Sequence, residues 1–241
     1  MSSELRDHRA NRLLGALEAE ELAFLEPHLE VVDLSAGTVL YEAGQSVGYA
    51  YFPHHCVVSL LAVLKDGGSA EVAVFGREGV LGFASSLVSR ESFGRYIVHV
   101  PGTASRVPVE RLMEAVDRSP KLQDLLRRFV EALLAQTFQT VACNAVHPVE
   151  ARCCRWLLSA HDRDGDGPLR VTHEVLAALL GVQRSSVTIV MGTLQTAGFI
   201  KQARGVITVM DRAALEDAAC ECYRSVRRSF ERLLPNTYSD G

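Results

Sequence analysis

The sequence predicts an α+β fold in which an antiparallel β domain, a long helix and a mostly helical carboxyl-terminal domain follow one another. Three observations predict it: short apolar runs divided by glycine over residues 31–107, an unbroken helical pattern after Ser119, and helical segments with a strand pair beyond His147. The 241 residues, 48% hydrophobic and 22% charged, are enough for two modest domains with separate cores.

Apolar runs separated by glycine mark the first domain, which we place at residues 1–118. Ten of the 18 glycines lie between residues 37 and 102, around runs such as TVLYEAG, CVVSLLAVL and RYIVHV. Short strands with turn signals at such intervals indicate an antiparallel barrel or jelly roll rather than alternating βαβ units. One or two short amphipathic helices over residues 11–29 precede the strands.

A long helix is predicted at residues 119–147. Ser119 suits its amino-terminal cap and Pro120 its first position, and apolar residues recur at three- and four-residue steps until His147-Pro148. So broad an apolar surface has to cover the β domain on one side and a further surface on the other. A second copy of the chain is the expected partner, which predicts a homodimer; a single core helix in a monomer is the alternative.

The third predicted domain, residues 148–241, contains two helices joined by a tight turn and followed by a strand pair, the pattern of a winged helix-turn-helix. A polar loop, DRDGDGP, precedes the helix pair, and a glycine allows the turn between its members. The predicted elements are a helix over residues 149–161, a helix from Thr172 to Gly181, a helix from Gln183 to Ala197, two strands around Arg204-Gly205, and a final helix from Ala213 to Leu233.

The second helix of that pair carries small and polar residues where a solvated helix usually carries glutamate and lysine. No acidic residue occurs from Val175 to Met210, while Arg184, Lys201 and Arg204 give the segment a charge of +3. Such a face suits a DNA major groove, where bulk clashes, acids repel phosphate and arginine bonds a guanine edge. Double-stranded DNA is the predicted partner, and the predicted DNA-binding residues are Thr172, Gln183, Arg184, Ser185, Ser186, Thr188, Ile189, Lys201 and Arg204.

Residues 171–200, VTHEVLAALLGVQRSSVTIVMGTLQTAGFI, with the strand pair after them, resemble the Crp/Fnr superfamily of bacterial transcription regulators. The resemblance extends over nearly the whole chain. It implies a cupin-like β-roll effector domain of the cyclic-nucleotide-binding type, a dimerising helix and a palindromic promoter site, with RNA polymerase as an expected partner. Arg184 keeps the residue with which this family reads bases. Ser185 and Ile189 replace the glutamate and arginine of the best-known members, which predicts a different operator sequence.

The β-roll lacks the residues by which cyclic-nucleotide binders of that superfamily hold their ligand. Those proteins use a Gly-Glu step and, farther along, Arg-Ser; here Phe83 replaces the glutamate and Tyr96 follows Arg95. Losing the acceptor for a ribose hydroxyl costs about 1–3 kcal/mol, so another small-molecule or redox effector is expected. Phe83, Arg95 and Tyr96 form the candidate effector pocket. A solvent-facing Arg95 and a constitutive regulator without an effector are the alternatives.

The six cysteines contain no C-x-x-C pair and are predicted to be reduced thiols. The chain also lacks the amino-terminal cysteine cluster of oxygen-sensing relatives, so neither a cofactor nor a metal site is predicted. Cys220-Glu221-Cys222-Tyr223 resembles a C-E-C-Y signature found in one branch of the superfamily. Two cysteines two residues apart on one helix do not share a face, so buried packing is expected for Cys220 and Cys222, with a thiol switch as the alternative.

The sequence argues against two further classes of protein, enzymes and membrane-bound or secreted proteins. A cupin-like metal enzyme would need two or three histidines and a carboxylate on neighbouring strands, and the β region offers only His54, His55 and His99 with scattered acids. The chain shows no secretory signal and no apolar run long enough for a bilayer span, so we expect it in the cytoplasm without membrane contact.

Overall fold

The computed structural model describes residues 8–164 and 167–238. Before the first strand the chain forms α1, Arg12–Gly15, and α2, Ala19–Leu25, with 3-10 turns at His8–Ala10 and Glu26–His28. The fully buried Asn11 caps α1 by accepting hydrogen bonds from the N–H groups of Leu13 and Leu14. Its amide nitrogen donates to the carbonyls of Pro53 and Gly79, each at 2.9 Å. Asn11 therefore fixes α1 against the β domain.

The β domain contains two antiparallel sheets, which confirms the predicted fold class. Its strands are β1, Glu30–Leu34; β2, Val39–Tyr41; β3, Tyr49–Pro53; β4, Val57–Val63; β5, Ser69–Phe75; β6, Arg95–Val100; and β7, Gly102–Pro108. The sheet orders are β1-β7-β3 and β2-β6-β4-β5. Aromatic rings fill the interior, since Tyr41 packs edge-on against Tyr51 and Tyr96, and Phe75 packs on Tyr96 with ring centroids 5.7 Å apart. The short helix α3, Phe83–Ser86, lies between β5 and β6.

Two helices, α4 (Val109–Arg118) and α5 (Pro120–Val146), follow the last strand of the β domain. Ser119 Oγ accepts a hydrogen bond from the N–H of Leu122 and caps α5, as predicted. Leu126 and Phe129 pack one face of α5 into the core of the β domain. The 27-residue helix ends where His147 precedes Pro148, because proline disfavours helical geometry in the residue before it.

The carboxyl-terminal domain has the helical pair and the strand pair that the sequence predicts, with two differences in the helices at its ends. Its elements are α6, Val149–Asp164; β8, Leu169–Arg170; α7, His173–Leu180; α8, Arg184–Thr196; β9, Ile200–Ala203; β10, Val206–Val209; α9, Arg212–Ala218; and α10, Cys222–Leu233. The first helix extends to Asp164, into the sequence predicted as a polar loop. The predicted final helix is instead two helices, interrupted at residues 219–221.

The carboxyl-terminal domain packs directly on the β4 and β5 side of the β domain. Val74 of β5 and Val100 of β6 share one apolar cluster with Leu157 of α6 and Leu176 of α7. Glu71 is buried in this contact, where Ser59 Oγ and Trp156 Nε1 donate hydrogen bonds to its carboxylate at 2.5 and 3.0 Å. Burial raises the pKa of Glu71 above its ordinary value, against the opposing effect of these donors.

No single helix among the described residues is long and apolar enough to cross a membrane. The pair α7 and α8, bent by 113°, passes the same test of length and composition when the two are joined.

Candidate nucleic-acid interface

Helices α7 and α8 form a helix-turn-helix. Thr172 Oγ1 accepts a hydrogen bond from the N–H of Val175 and caps α7. Gly181 ends α7 at φ +63°, a left-handed conformation that favours glycine, and the two helices meet at 113°. Leu176 and Leu180 of α7 and Met191 of α8 are buried in one cluster. The turn and this shared core hold α8 with its opposite face toward solvent.

The outward face at the amino end of α8 consists of the residues predicted to read DNA. Arg184, Ser185, Thr188 and Ile189 are exposed, and Ser186 is half-buried. Ile189 is 70% exposed, an unusual position for a large apolar side chain and a suitable one for a thymine methyl group. Gln183 occupies the cap position but makes no capping hydrogen bond with its side chain, so its amide is available to an outside partner.

A polar network that the sequence did not predict joins α7, α8 and β9. Thr188 Oγ1 donates to the carbonyl of Arg184 at 3.0 Å and lies 3.1 Å from His173 Nδ1. His173 Nε2 lies 2.6 Å from Gln202 Oε1, and Gln202 Nε2 donates to the carbonyl of Met191. Thr188 therefore has partners within the protein, unlike a residue free to read bases. No local pattern reveals this network, because its members are 15 and 29 residues apart.

The wing is a two-residue hairpin between β9 and β10. Arg204 and Gly205 have φ values of +50° and +78°, the combination of a type I′ turn. A left-handed conformation costs a residue with a Cβ roughly 1–2 kcal/mol, so Arg204 is held there at some expense of stability. A groove of about 420 Å³ lies between the wing and the amino ends of α7 and α8, with Thr172, Arg184 and Arg204 on its walls. Lys201 is exposed on β9.

The three residues predicted to form an effector pocket do not surround one open cavity. Tyr96 is 1% exposed and belongs to the aromatic interior, where burial raises its pKa to about 12. Arg95 projects to the other side of β6 and pairs with Glu42, Nε to Oε2, at 2.9 Å, which is the solvent-facing alternative. Phe83 is buried and lines a different groove, of about 250 Å³, together with Met113 and Val130.

The strand histidines do not form the metal centre that the enzyme alternative requires. His54 is buried, and its ring nitrogens lie within hydrogen-bonding distance of Thr103 and Ser105. Burial lowers the pKa of His99 to about 4. Across the described ranges, 8–164 and 167–238, one group of histidine, cysteine and acidic residues is close enough to hold a metal, and it lies outside the β domain: Cys143, His147, Cys220 and Cys222.

Comparison with known proteins agrees with this geometry. Residues 151–218 match the Crp-like helix-turn-helix domain. The transcriptional regulator SdrP of Thermus thermophilus is 27% identical over 197 residues, which cover 76% of this chain and 94% of that protein. The global nitrogen regulator of Synechococcus elongatus is 24% identical over 196 residues, with 78% and 88% coverage.

Solved structures of Crp/Fnr regulators share the fold of the chain. FixK2 from Bradyrhizobium japonicum superposes with a TM-score of 0.67 at 16% identity, covering 80% of this chain and 98% of that one. A Crp/Fnr-family regulator from Eubacterium rectale gives 0.67 at 16% identity, with 87% and 98% coverage. The fold, the helix-turn-helix and the relatives agree, and these relatives are not enzymes. The chain thus contains a Crp-like helix-turn-helix domain at residues 151–218, and over most of its length it is similar to DNA-binding transcription regulators of the Crp/Fnr family.

Proposed function

We propose that two copies of this chain bind a palindromic operator in double-stranded DNA, each placing the amino end of α8 in a major groove. The observation that carries the proposal is the outward face of α8, which is small, free of acidic residues and flanked by the wing. The backbone N–H groups at a helix amino end and exposed arginine both attract phosphate, so this end of α8 suits DNA. We place its action in the cytoplasm, where RNA polymerase is the expected further partner.

Within this proposal, the nine predicted residues divide into two groups by position. Arg184, Ser185 and Ile189 read base edges, because they are exposed on the first two turns of α8 and Arg184 offers a bidentate donor to guanine. The others position the protein on the sugar-phosphate backbone or support α8, as their places at caps, at the network and on the wing suggest. This second group is Thr172, Gln183, Ser186, Thr188, Lys201 and Arg204.

An exposed apolar stripe on α5 supports the homodimer. Leu134, Phe138 and Val141 are 50%, 70% and 57% exposed, although they lie on a helix whose opposite face is buried. With the exposed Ala145 they repeat at steps of four, three and four residues, the spacing of a two-stranded coiled coil. Large apolar side chains left in water favour association, so a second copy packed about a two-fold axis is the simplest partner.

We further propose that a signal other than a cyclic nucleotide acts on the β domain. Tyr96, which stands where those binders have serine, is buried against Phe75 in the aromatic interior, and Arg95 is paired with Glu42. The groove beside Phe83 contacts α4 and α5, so an apolar ligand there would bear on the dimer helix directly. A panel of metabolites and redox agents tests this: a ligand that changes operator affinity supports it, and no response to any of them favours a constitutive regulator.

The experiment that tests the function is selection of bound duplexes from a random pool with the full-length protein at near-physiological salt. Sequencing is expected to show an enriched palindrome whose half-sites are about one helical turn apart. Enrichment of a single half-site would contradict the dimer. No enrichment, with or without the effector panel, would contradict the assignment of α8 as the reading helix.

Arg184→Ala is expected to weaken binding to that operator by about 1–3 kcal/mol and to relax one base position in each half-site. The control is Lys201→Ala, which removes a phosphate contact and is expected to weaken binding to all sequences alike. Both affinities are measured by fluorescence anisotropy on the selected operator and on a scrambled duplex. Equal losses on both duplexes for Arg184→Ala would show that this residue does not read a base.

Arg204→Asn is expected to stabilise the fold while weakening DNA binding. Asparagine enters the left-handed conformation more readily than arginine, which favours an increase of up to about 1 kcal/mol in the free energy of unfolding. Loss of the charge is expected to reduce the salt dependence of binding by about one unit of slope per phosphate contact removed. Urea unfolding and a salt titration of operator affinity measure the two effects.

Arg90→Asn is the matched control for Arg204→Asn. Arg90 is also a left-handed arginine, at φ +58°, and lies in the β domain, where it pairs with Glu110 on the surface. The same loss of charge and the same backbone relief are expected to leave operator affinity unchanged there. An equal loss of affinity in both variants would contradict a phosphate contact at the wing.

A further inference from the structure

Four side chains with metal-binding atoms meet where α5 and α10 come together. Cys143 lies in the last turn of α5 and His147 is the carboxyl cap of that helix, while Cys220 lies in the break between α9 and α10 and Cys222 begins α10. One ligand atom from each residue lies within 4.8 Å of all the others. The three cysteines are buried and the histidine is half-buried. The proposed DNA interface uses none of them.

The local backbone explains how the four residues converge. Cys143 and the cap residue His147 are four residues, about one helical turn, apart, so both lie on the same side of the carboxyl end of α5. Cys220 and Cys222 share a side because the chain is not helical at residues 219–221 and the N–H of Tyr223 turns back to the carbonyl of Cys220. A continuous helix, as the sequence predicts, would have turned these two cysteines to different faces. The break is therefore what completes the group.

Two separations within the group are close to those of a tetrahedral zinc site. Cys143 Sγ and Cys220 Sγ are 3.5 Å apart, and Cys222 Sγ lies 3.4 Å from His147 Nδ1. Zinc–sulfur bonds of about 2.3 Å and zinc–nitrogen bonds of about 2.0–2.1 Å place tetrahedral ligands about 3.5–3.8 Å from one another. These two separations fit bound zinc, and the other pairs, all within 4.8 Å, need side-chain movements of about 1 Å to reach the same length.

Neighbouring groups are arranged as outer partners of metal ligands usually are. His147 Nε2 lies 3.3 Å from Glu221 Oε1, which leaves Nδ1 directed at the cysteines. Gln139 Nε2 donates to Cys222 Sγ at 3.0 Å. Arg152 and Arg155 are buried, and Arg152 interacts electrostatically with Cys143 and Cys220. Three thiolates and one Zn²⁺ carry a net charge of −1, which these guanidinium groups offset.

We propose that Cys143, His147, Cys220 and Cys222 bind one Zn²⁺ ion per chain. Three sulfurs and one imidazole nitrogen form a donor set that borderline-soft divalent zinc prefers, and four protein ligands make the site structural. A disulfide between Cys143 and Cys220 would explain only two of the four side chains and neither the histidine nor its carboxylate partner. The ion connects the end of α5 to the start of α10. This connection lies at His147-Pro148, where the chain enters the DNA-binding domain.

The test is the metal content of the full-length protein, purified with reductant and without chelator from zinc-supplemented cells. We expect about one zinc per chain in the native protein and in Cys56→Ala, whose cysteine is equally buried but lies in the β domain. Cys222→Ala is expected to lose most of the zinc. His147→Gln disturbs packing least, because the side chain is 20% exposed. This variant is expected to bind zinc more weakly than the native protein. Glu221→Gln, which changes an outer partner, is expected to reduce zinc affinity by roughly 10–100-fold.

Cobalt gives a second readout that does not depend on stability. Co²⁺ added to chelator-treated native protein is expected to produce a thiolate-to-metal charge-transfer band and the intense visible bands of tetrahedral coordination. Far-ultraviolet circular dichroism identifies any variant that fails to fold. The proposal is overturned if the native protein retains no zinc and gives no thiolate–cobalt band, if Cys56→Ala loses metal as readily as Cys222→Ala, or if mass spectrometry of anaerobic protein finds a Cys143–Cys220 disulfide.

Discussion

Glu78→Leu is expected to lower the free energy of unfolding by about 3–5 kcal/mol, because it leaves the buried charge of Arg163 without its partner. Arg163 Nε donates to Glu78 Oε1 at 2.7 Å, and the two side chains are 2% and 3% exposed. Arg163 also donates to the carbonyl of Ser159 and to Gln136 Oε1. These neutral acceptors cannot replace the carboxylate, since a guanidinium remains charged at every pH at which the protein folds. Urea unfolding of the full chain measures the loss.

The double variant Glu78→Leu with Arg163→Met separates the charge from the volume of the pair. Replacing both partners with apolar residues of similar size removes the unpaired charge, so much of the lost free energy is expected to return. The matched control is Glu42→Leu, which breaks the ion pair with Arg95. The side chains of Arg95 and Glu42 are 38% and 52% exposed. This variant is expected to cost less than about 1 kcal/mol. Equal costs for the buried and the exposed pair would refute the argument from burial.

Phe138→Glu is expected to convert the proposed dimer into a monomer and to reduce operator affinity by roughly 100-fold or more, because each half-site then binds separately. Phe138 is 70% exposed on the protomer, so the substitution leaves the fold of the single chain intact. In the seam between two copies, two glutamates would face one another in an apolar setting, where both desolvation and repulsion oppose association. Light scattering gives the mass in solution, and anisotropy gives the affinity.

Leu64→Glu is the control for the seam. Leu64 is a large apolar residue, 62% exposed, in the connection between β4 and β5. It is expected to change neither mass nor affinity. A native protein that is monomeric at micromolar concentration, or a Phe138→Glu protein that remains dimeric, would show that the stripe on α5 is not the seam.

The elements that could be predicted from the sequence are those whose signal is local. Ser119-Pro120 and His147-Pro148 bound α5 because caps and prolines act within a few residues. Gly181 and the small, acid-free residues after it identify the helix-turn-helix for the same reason. The residues on the outer face of α8 could also be predicted, because exposure there follows directly from the helical repeat.

Features that depend on contacts between distant segments could not be predicted. Arg163 lies among acidic residues and glycines, a composition that predicts a solvent-exposed loop. Its side chain is buried instead, because it pairs with Glu78, 85 residues earlier. The break between α9 and α10 contains no proline or glycine from which it could be predicted. Arg95 and Tyr96 are neighbours in the sequence, yet they do not line one pocket, because adjacent strand residues point to opposite faces. Tertiary packing decides each of these positions.

The contact between α7 and the edge of β5 limits how the helix-turn-helix can be transferred to another protein. Ser69 Oγ donates to the carbonyl of Ala178, and the backbone of Gly181 approaches Ala70 closely enough that a Cβ there would touch it at 3.4 Å. One face of the helix-turn-helix therefore packs on the β domain, and the helix-turn-helix does not form an independent domain. Joining it to the β domain of another protein would expose the face that packs on β5, so chimeric regulators need β5 and α7 from the same protein.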